Sequence, residues 1–119
     1  MVKQGKRQHT MRSKIRPIVK GRPRMTRRGR VFTPATTLEF EKKVADSWIK
    51  SKGPIFTGPV SVTIELSPEG FMVRVRSITH EVSKLRGDVD NYAKSILDGL
   101  NGVAFEDDKQ VYILNVEKL

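Results

Sequence analysis

Residues 60–78 read VSVTIELSPEGFMVRVRSI, and their alternation decides the class of fold. Val60, Val62, Ile64 and Leu66 occupy every second position, with Ser61, Thr63 and Glu65 between them, the period-two signature of a strand with one buried face. Ser67-Pro68-Glu69-Gly70 supplies a turn. From Phe71 to Ile78 the alternation resumes, with Val73 and Val75 on one face and Arg74 and Arg76 on the other, so a second strand or hairpin arm follows. Those two arginines either line a nucleic acid or face water.

On either side of this segment the period changes to that of a helix. Before it, Phe40, Val44 and Trp48 recur every fourth residue from Pro34 onward, with Ala45 and Ile49 beside them and Glu39, Glu41, Lys42, Lys43 and Asp46 on other faces. This amphipathic helix ends near Gly53-Pro54, and its tryptophan, lying on an apolar stripe, belongs in a core rather than stacked on a base. After the strands, Asp88 or Asp90 caps a second helix whose stripe is Ala93, Ile96, Leu97 and Leu100 and whose stop is Asn101-Gly102. Val111, Ile113 and Val116 predict a last strand. Near the start, Ile15 to Val19 is a weak strand candidate, and Gly21, Pro23 and Gly29 among Arg22, Arg24, Arg27, Arg28 and Arg30 predict a turn or hairpin leading to Val31 and Phe32. The expected architecture is a single α+β domain, a small mixed sheet covered by two main helices, over residues 15–119. Residues 1–14 are expected to be a basic, flexible arm.

Charge and composition narrow the function. The formal net charge is +10; no acid precedes Glu39, the first thirty residues carry 12 of the 23 lysines and arginines, and eight of the thirteen acids lie from Glu81 onward. A basic leading segment is the profile of a polyanion binder, although basic tails also serve only solubility. With no cysteine, disulfides, thiol nucleophiles and thiolate zinc sites are excluded, and His9 and His80 are too few for a histidine zinc site. A metal would be held by oxygen, which favours magnesium or manganese. No apolar run is long enough for a membrane span or a signal peptide, so a cytoplasmic protein with no membrane partner is expected.

The chemistry concentrates in Arg86–Val111, RGDVDNYAKSILDGLNGVAFEDDKQV. Asp88 and Asp90 sit two apart at the helix entrance; in extended backbone both carboxylates point to one side and can share a cation. Lys94 follows Asp90 by one helical turn, and Glu106-Asp107-Asp108 brings further carboxylates before the expected last strand. Hydrolysing a phosphodiester needs a cation against the phosphate, activated water and a positive group for developing charge, and carboxylates with a lysine supply these. The plain alternatives are helix caps, an ordinary Asp90–Lys94 ion pair and a solvated turn at 106–108. A calcium-binding EF-hand loop fails at Tyr92 and Ala93, and an aspartyl-phosphatase nucleophile is disfavoured because Lys84-Leu85-Arg86-Gly87, not an apolar strand, precedes Asp88.

At these residues the sequence resembles the RusA family of crossover-junction endodeoxyribonucleases, whose hallmark is Asp-x-Asp-Asn at a helix start, a lysine four residues on, and a later Asp-Asp-x-Gln. Asp88, Asp90, Asn91, Lys94, Asp107, Asp108 and Gln110 match it, and Leu100-Asn101-Gly102 and GRPRMTRRGRVFTP resemble phage-type members. The resemblance covers roughly residues 17–119. It implies a magnesium-dependent endonuclease, with manganese as a substitute, that nicks four-way (Holliday) junctions in DNA recombination and repair. Asp88, Asp90 and Asp108 would hold the metal, Lys94 would assist, and Asn91 and Asp107 would support them. Arg22, Arg24, Arg27, Arg28, Arg30 and Arg86 would contact DNA, and a homodimer would cut two opposed strands. The family pattern also leads one to expect a strand beyond Leu119 and a shorter basic link than residues 71–84. The alternative is a catalytically silent, structure-selective nucleic-acid-binding module; a weaker third reading has the basic arm bind RNA within a larger assembly.

Overall fold

The computed structural model describes residues 7–20, 24–25, 27–29, 31–32 and 34–119. The elements in order are β1 (Gln8–Ser13), β2 (Arg24–Met25), β3 (Val31–Phe32), α1 (Ala35–Lys50), β4 (Val60–Ser67), β5 (Gly70–Ser77) and α2 (Val89–Leu100), then a single 3-10 turn at Asp108–Gln110. The chain is α+β, and its contacts divide it into two compact units, up to Thr79 and from His80 to Leu119.

In the first unit β4 and β5 form the hairpin that the alternation predicts, with Leu66 opposite Phe71 and Val62 opposite Val75. The other neighbour of β5 is β1, giving the antiparallel order β1-β5-β4 with Met11 opposite Val73. This corrects the reading of residues 1–14 as a flexible arm: residues 8–13 are a strand, and Met11 is only 2% exposed. The sequence QHTMRS carries one large apolar side chain, so its partner across the sheet, rather than its own pattern, makes it a strand. Residues 15–19, the weak candidate, run on from it without strand pairing. Residues 1–6 lie outside the described residues.

Helix α1 packs on one face of this sheet. Its Phe40 ring lies 5.8 Å from that of Phe71 and its Trp48 ring meets His9 edge-on at 4.8 Å. Trp48 is therefore a packing residue, its Nε1 donating to Pro54 O at 3.1 Å. His9 Nε2 also reaches Ser51 Oγ at 2.9 Å, tying β1 to the end of α1. Because α1 lies over β1 and β5, the Val60, Val62, Ile64 and Leu66 row expected to be buried is instead exposed, Leu66 by 69%. A short hairpin, β2 against β3 with Arg24 opposite Phe32, occupies the arginine-rich segment as expected.

In the second unit α2 runs over the predicted span, with Ala93 buried. Gly102, at φ +80°, turns the chain, and its N–H donates to Phe105 O at 2.7 Å. The last strand expected over 111–116 is not formed: the chain there makes no ladder, and the described sheets are antiparallel throughout rather than mixed. Side chains hold this end instead. Ser83 Oγ donates to Leu119 O, Lys118 Nζ to Gly87 O at 3.2 Å, and His80 Nε2 lies 3.5 Å from Glu117.

The sheet yields a stability prediction. Met11→Ala should cost about 2–5 kcal/mol, and Gly70→Ala, whose new Cβ would strike the Ser13 carbonyl, about 1–3 kcal/mol. Both should lower the urea midpoint; an unchanged midpoint for Met11→Ala would return residues 8–13 to a flexible arm.

Candidate active site

The entrance of α2 is fixed by its own neighbours in the second unit. Gly87 N–H donates to the Tyr92 hydroxyl at 3.1 Å, while Gly87 O accepts from Lys118 Nζ. A Cβ at residue 87 would come within 2.9 Å of the Tyr92 ring, so glycine is what lets the ring close over this point. The backbone immediately before Asp88 is thus held on both its polar groups. Neither Tyr92 nor Lys118 was singled out from the sequence; a tyrosine five residues after a glycine is a faint signal, and a lysine at the far end of the unit gives none.

Asp88 is the N-cap residue of α2, with extended backbone (φ −75°, ψ 141°), and its carboxylate makes no capping hydrogen bond. Asp88 O instead accepts from the N–H groups of Asn91 and Tyr92 at 3.1 and 3.2 Å. Asp90 stands in the first helical turn, so only the first of the two aspartates has the extended backbone from which a shared direction was inferred. Both are exposed, as is Asn91. The positive end of the helix favours negative groups here, whether carboxylates or a phosphate.

Lys94 lies one turn further along and pairs with Asp98, at 3.4 Å, rather than with Asp90. Both partners are well exposed, so this i,i+4 contact is weak and readily exchanged. Asp108 begins the 3-10 turn, and Asp107 caps it: Asp107 Oδ1 accepts from Lys109 N at 2.9 Å while Gln110 Oε1 accepts from Asp107 N at 3.0 Å. This reciprocal capping box is what Asp107 and Gln110 do for the turn that presents Asp108. The Lys109 N–H, then a hydrogen bond with Asp108, holds the Asp107 carboxyl below its ordinary range.

Among the described residues no three His, Asp or Glu side chains gather into a group that could hold a metal, so Asp108 is not brought together with Asp88 and Asp90. Magnesium, however, is commonly held by one or two carboxylates completed by substrate phosphates and water. Asp88 and Asp90, oxygen donors not spent on a cap or an ion pair among the described residues, fit that requirement. Of the predicted DNA contacts, Arg86 is exposed just before Gly87. Arg27 and Arg28 are exposed at the tip between β2 and β3, Arg24 contributes its backbone to β2, and Arg22 and Arg30 lie outside the described residues.

The sequence profile of endodeoxyribonuclease RusA matches residues 14–119, a span that takes in the arginine hairpin, both helices and all three aspartates. The chain belongs to the RusA family of endodeoxyribonucleases. Strand β1 ends at Ser13, just ahead of the matched span. Among curated proteins, this RusA-family chain is 31% identical over 118 aligned positions to the uncharacterized protein YqaN of Bacillus subtilis strain 168, covering 86% of this chain and 80% of the relative. No solved structure matches it. Among the described residues no helix is long and apolar enough to cross a membrane.

The capping box makes the turn at Asp108 sensitive to acid. Because the folded-state pKa of Asp107 is depressed, its contribution is present above the ordinary aspartate value and is lost as pH falls through the folded value. Protection of the Lys109 amide, followed by NMR, should therefore be steady near neutrality and fall on acidification below the usual carboxylate range. In Asp107→Ala it should be low at every pH; protection indifferent to both changes would contradict the capping role.

Proposed function

We propose that the chain is a magnesium-dependent endonuclease that nicks four-way DNA junctions by phosphodiester hydrolysis, in recombination and repair, and that it works as a cytoplasmic homodimer cutting two opposed strands. The observation that carries this reading is the placement of Asp88 and Asp90 at the entrance of α2, exposed and free of capping bonds, in a chain of net charge +10 that belongs to an endodeoxyribonuclease family.

In this reading Asp88 and Asp90 would hold the cation, magnesium or in its place manganese; Asp108, which does not gather with them among the described residues, would be a further ligand on the strength of the family motif alone. When bound, the cation supplies neutralisation of the phosphate and a more acidic water. The chain's residues do the rest. The α2 N-terminus draws the phosphate, and Arg86 beside it grips the backbone. Lys94, released from its weak contact with Asp98, places a positive charge where negative charge develops on the phosphate oxygens. Asn91 and Asp107 support the ligands, Asp107 through the turn it caps. Arg22, Arg24, Arg27, Arg28 and Arg30 contact DNA from the hairpin segment.

One observation favours a second reading, a junction-selective binder without catalysis: the three aspartates do not gather among the described residues. Asp90→Asn separates the two readings. Cleavage of a labelled junction in magnesium should fall about 100-fold or more, while binding survives or tightens because a negative charge beside phosphate has gone. Full cleavage by the variant would remove Asp90 from the mechanism; binding by the parent chain with no magnesium-dependent product would favour the silent binder.

A further inference from the structure

The sheet of the first unit has two unlike faces. Packing of His9 on Trp48 and Phe71 on Phe40 assigns the odd-numbered positions of β1 and β5 to the face under α1. The alternation of side chains then puts Arg12, Arg74 and Arg76 on the opposite face. The register aligns them in rows: Arg76 lies between Gln8 and Ser61, and Arg74 between Thr10 and Thr63. One row further along, Arg12 and Glu65 flank Met72.

The charge on this face is one-sided. Against three arginines the three strands set one carboxylate, Glu65, and it stands across the sheet from Arg12 with Met72 between them. Among the described residues no ion pair engages any of the three arginines. Arg12 and Arg76 are exposed, and Arg74 is half-buried with its Nε 3.4 Å from Thr10 Oγ1, which leans the guanidinium along the sheet. Successive arginines on one face of β5 leave the backbone about 7 Å apart. Guanidinium forks on a rigid platform, interleaved with hydroxyls and an amide, are the donor types that hold phosphates without reading bases.

We propose that this face, carrying Arg12, Arg74 and Arg76 opposite α1, is a contact surface for the phosphate backbone of duplex DNA, formed by residues other than those of the arginine hairpin and the aspartates of α2. It rests on the reading of the chain as a DNA endonuclease and adds to it a surface that grips the arms of the substrate by charge and shape. Its occupant follows from charge complementarity: a face with three guanidinium groups that make no ion pair among the described residues calls for a regularly spaced polyanion.

The test uses the full chain in chelator, with binding to a labelled four-way junction measured against salt. Arg12→Gln with Arg76→Gln changes two exposed side chains and leaves the Arg74–Thr10 contact in place. The slope of log K against log salt should flatten by about 2, close to one unit per phosphate contact. Lys42→Gln with Lys50→Gln removes the same charge from exposed positions of α1 and should leave the slope unchanged. Thr63→Glu, which sets a carboxylate beside Arg74, should weaken binding and serves if the arginine pair fails to fold. Tight, salt-dependent binding by the parent chain with an unchanged slope in the arginine pair, or an equal loss in the lysine pair, would overturn the surface and leave the endonuclease reading standing. A parent chain that binds no junction, or prefers RNA, would overturn both.

Discussion

Strand β5 organises the first unit because it is paired along its length on both sides. Once Gly70–Ser77 lies between β1 and β4, every side chain on it is committed to one of two faces, and a slip of one residue would exchange them. One face receives α1 through Phe71, and the other carries Arg74 and Arg76. The backbone carbonyl of Ser13 comes so near Gly70 that a side chain there has no room, which keeps β1 and the β4–β5 turn in register. In the second unit the corresponding constraint is the backbone at Gly87, held by Tyr92 and Lys118 ahead of the aspartates.

These two anchors divide the work by chemistry. The first unit offers guanidinium groups on firm backbone, suited to a polyanion whose sequence is irrelevant. The second offers carboxylates at a helix N-terminus, suited to a cation and the phosphate that follows it. A basic protein that only gripped DNA would have no use for exposed aspartates at the place where phosphate is most attracted. Under the proposed function, a cation held there would reverse the local sign, so that a chain with net charge +10 could present negative groups to a polyanion.

Much of the fold was legible because it is local. Helix α1, helix α2 and the β4–β5 hairpin announce themselves by period and by turn residues, and each lies where those signals place it. Strand β1 was not legible, since QHTMRS has a single strong apolar residue and owes its conformation to pairing with residues some sixty positions away. The opposite error occurs at 111–116, where apolar alternation is present but no neighbouring strand accepts it. The β4 row reads as buried because alternation reports which residues share a face; it does not report how far a helix extends over that face. At the site, Asp88, Asp90, Lys94 and the Asp107-Asp108 pair were visible as a motif. The partners that fix the backbone ahead of Asp88, Tyr92 and Lys118, depend on side-chain geometry that spacing does not encode.

Under the proposed function, exposed aspartates at the entrance of α2 make this family member a metal-dependent junction nuclease. The most direct measurement incubates the purified chain with a labelled four-way junction and with linear duplex of the same sequence, each in magnesium and in chelator. Paired nicks are expected on opposed strands of the junction, none on the linear duplex, and none of either kind in chelator. Cutting that persists in chelator would contradict the assignment of metal to Asp88 and Asp90, and equal cutting of both substrates would contradict junction selectivity.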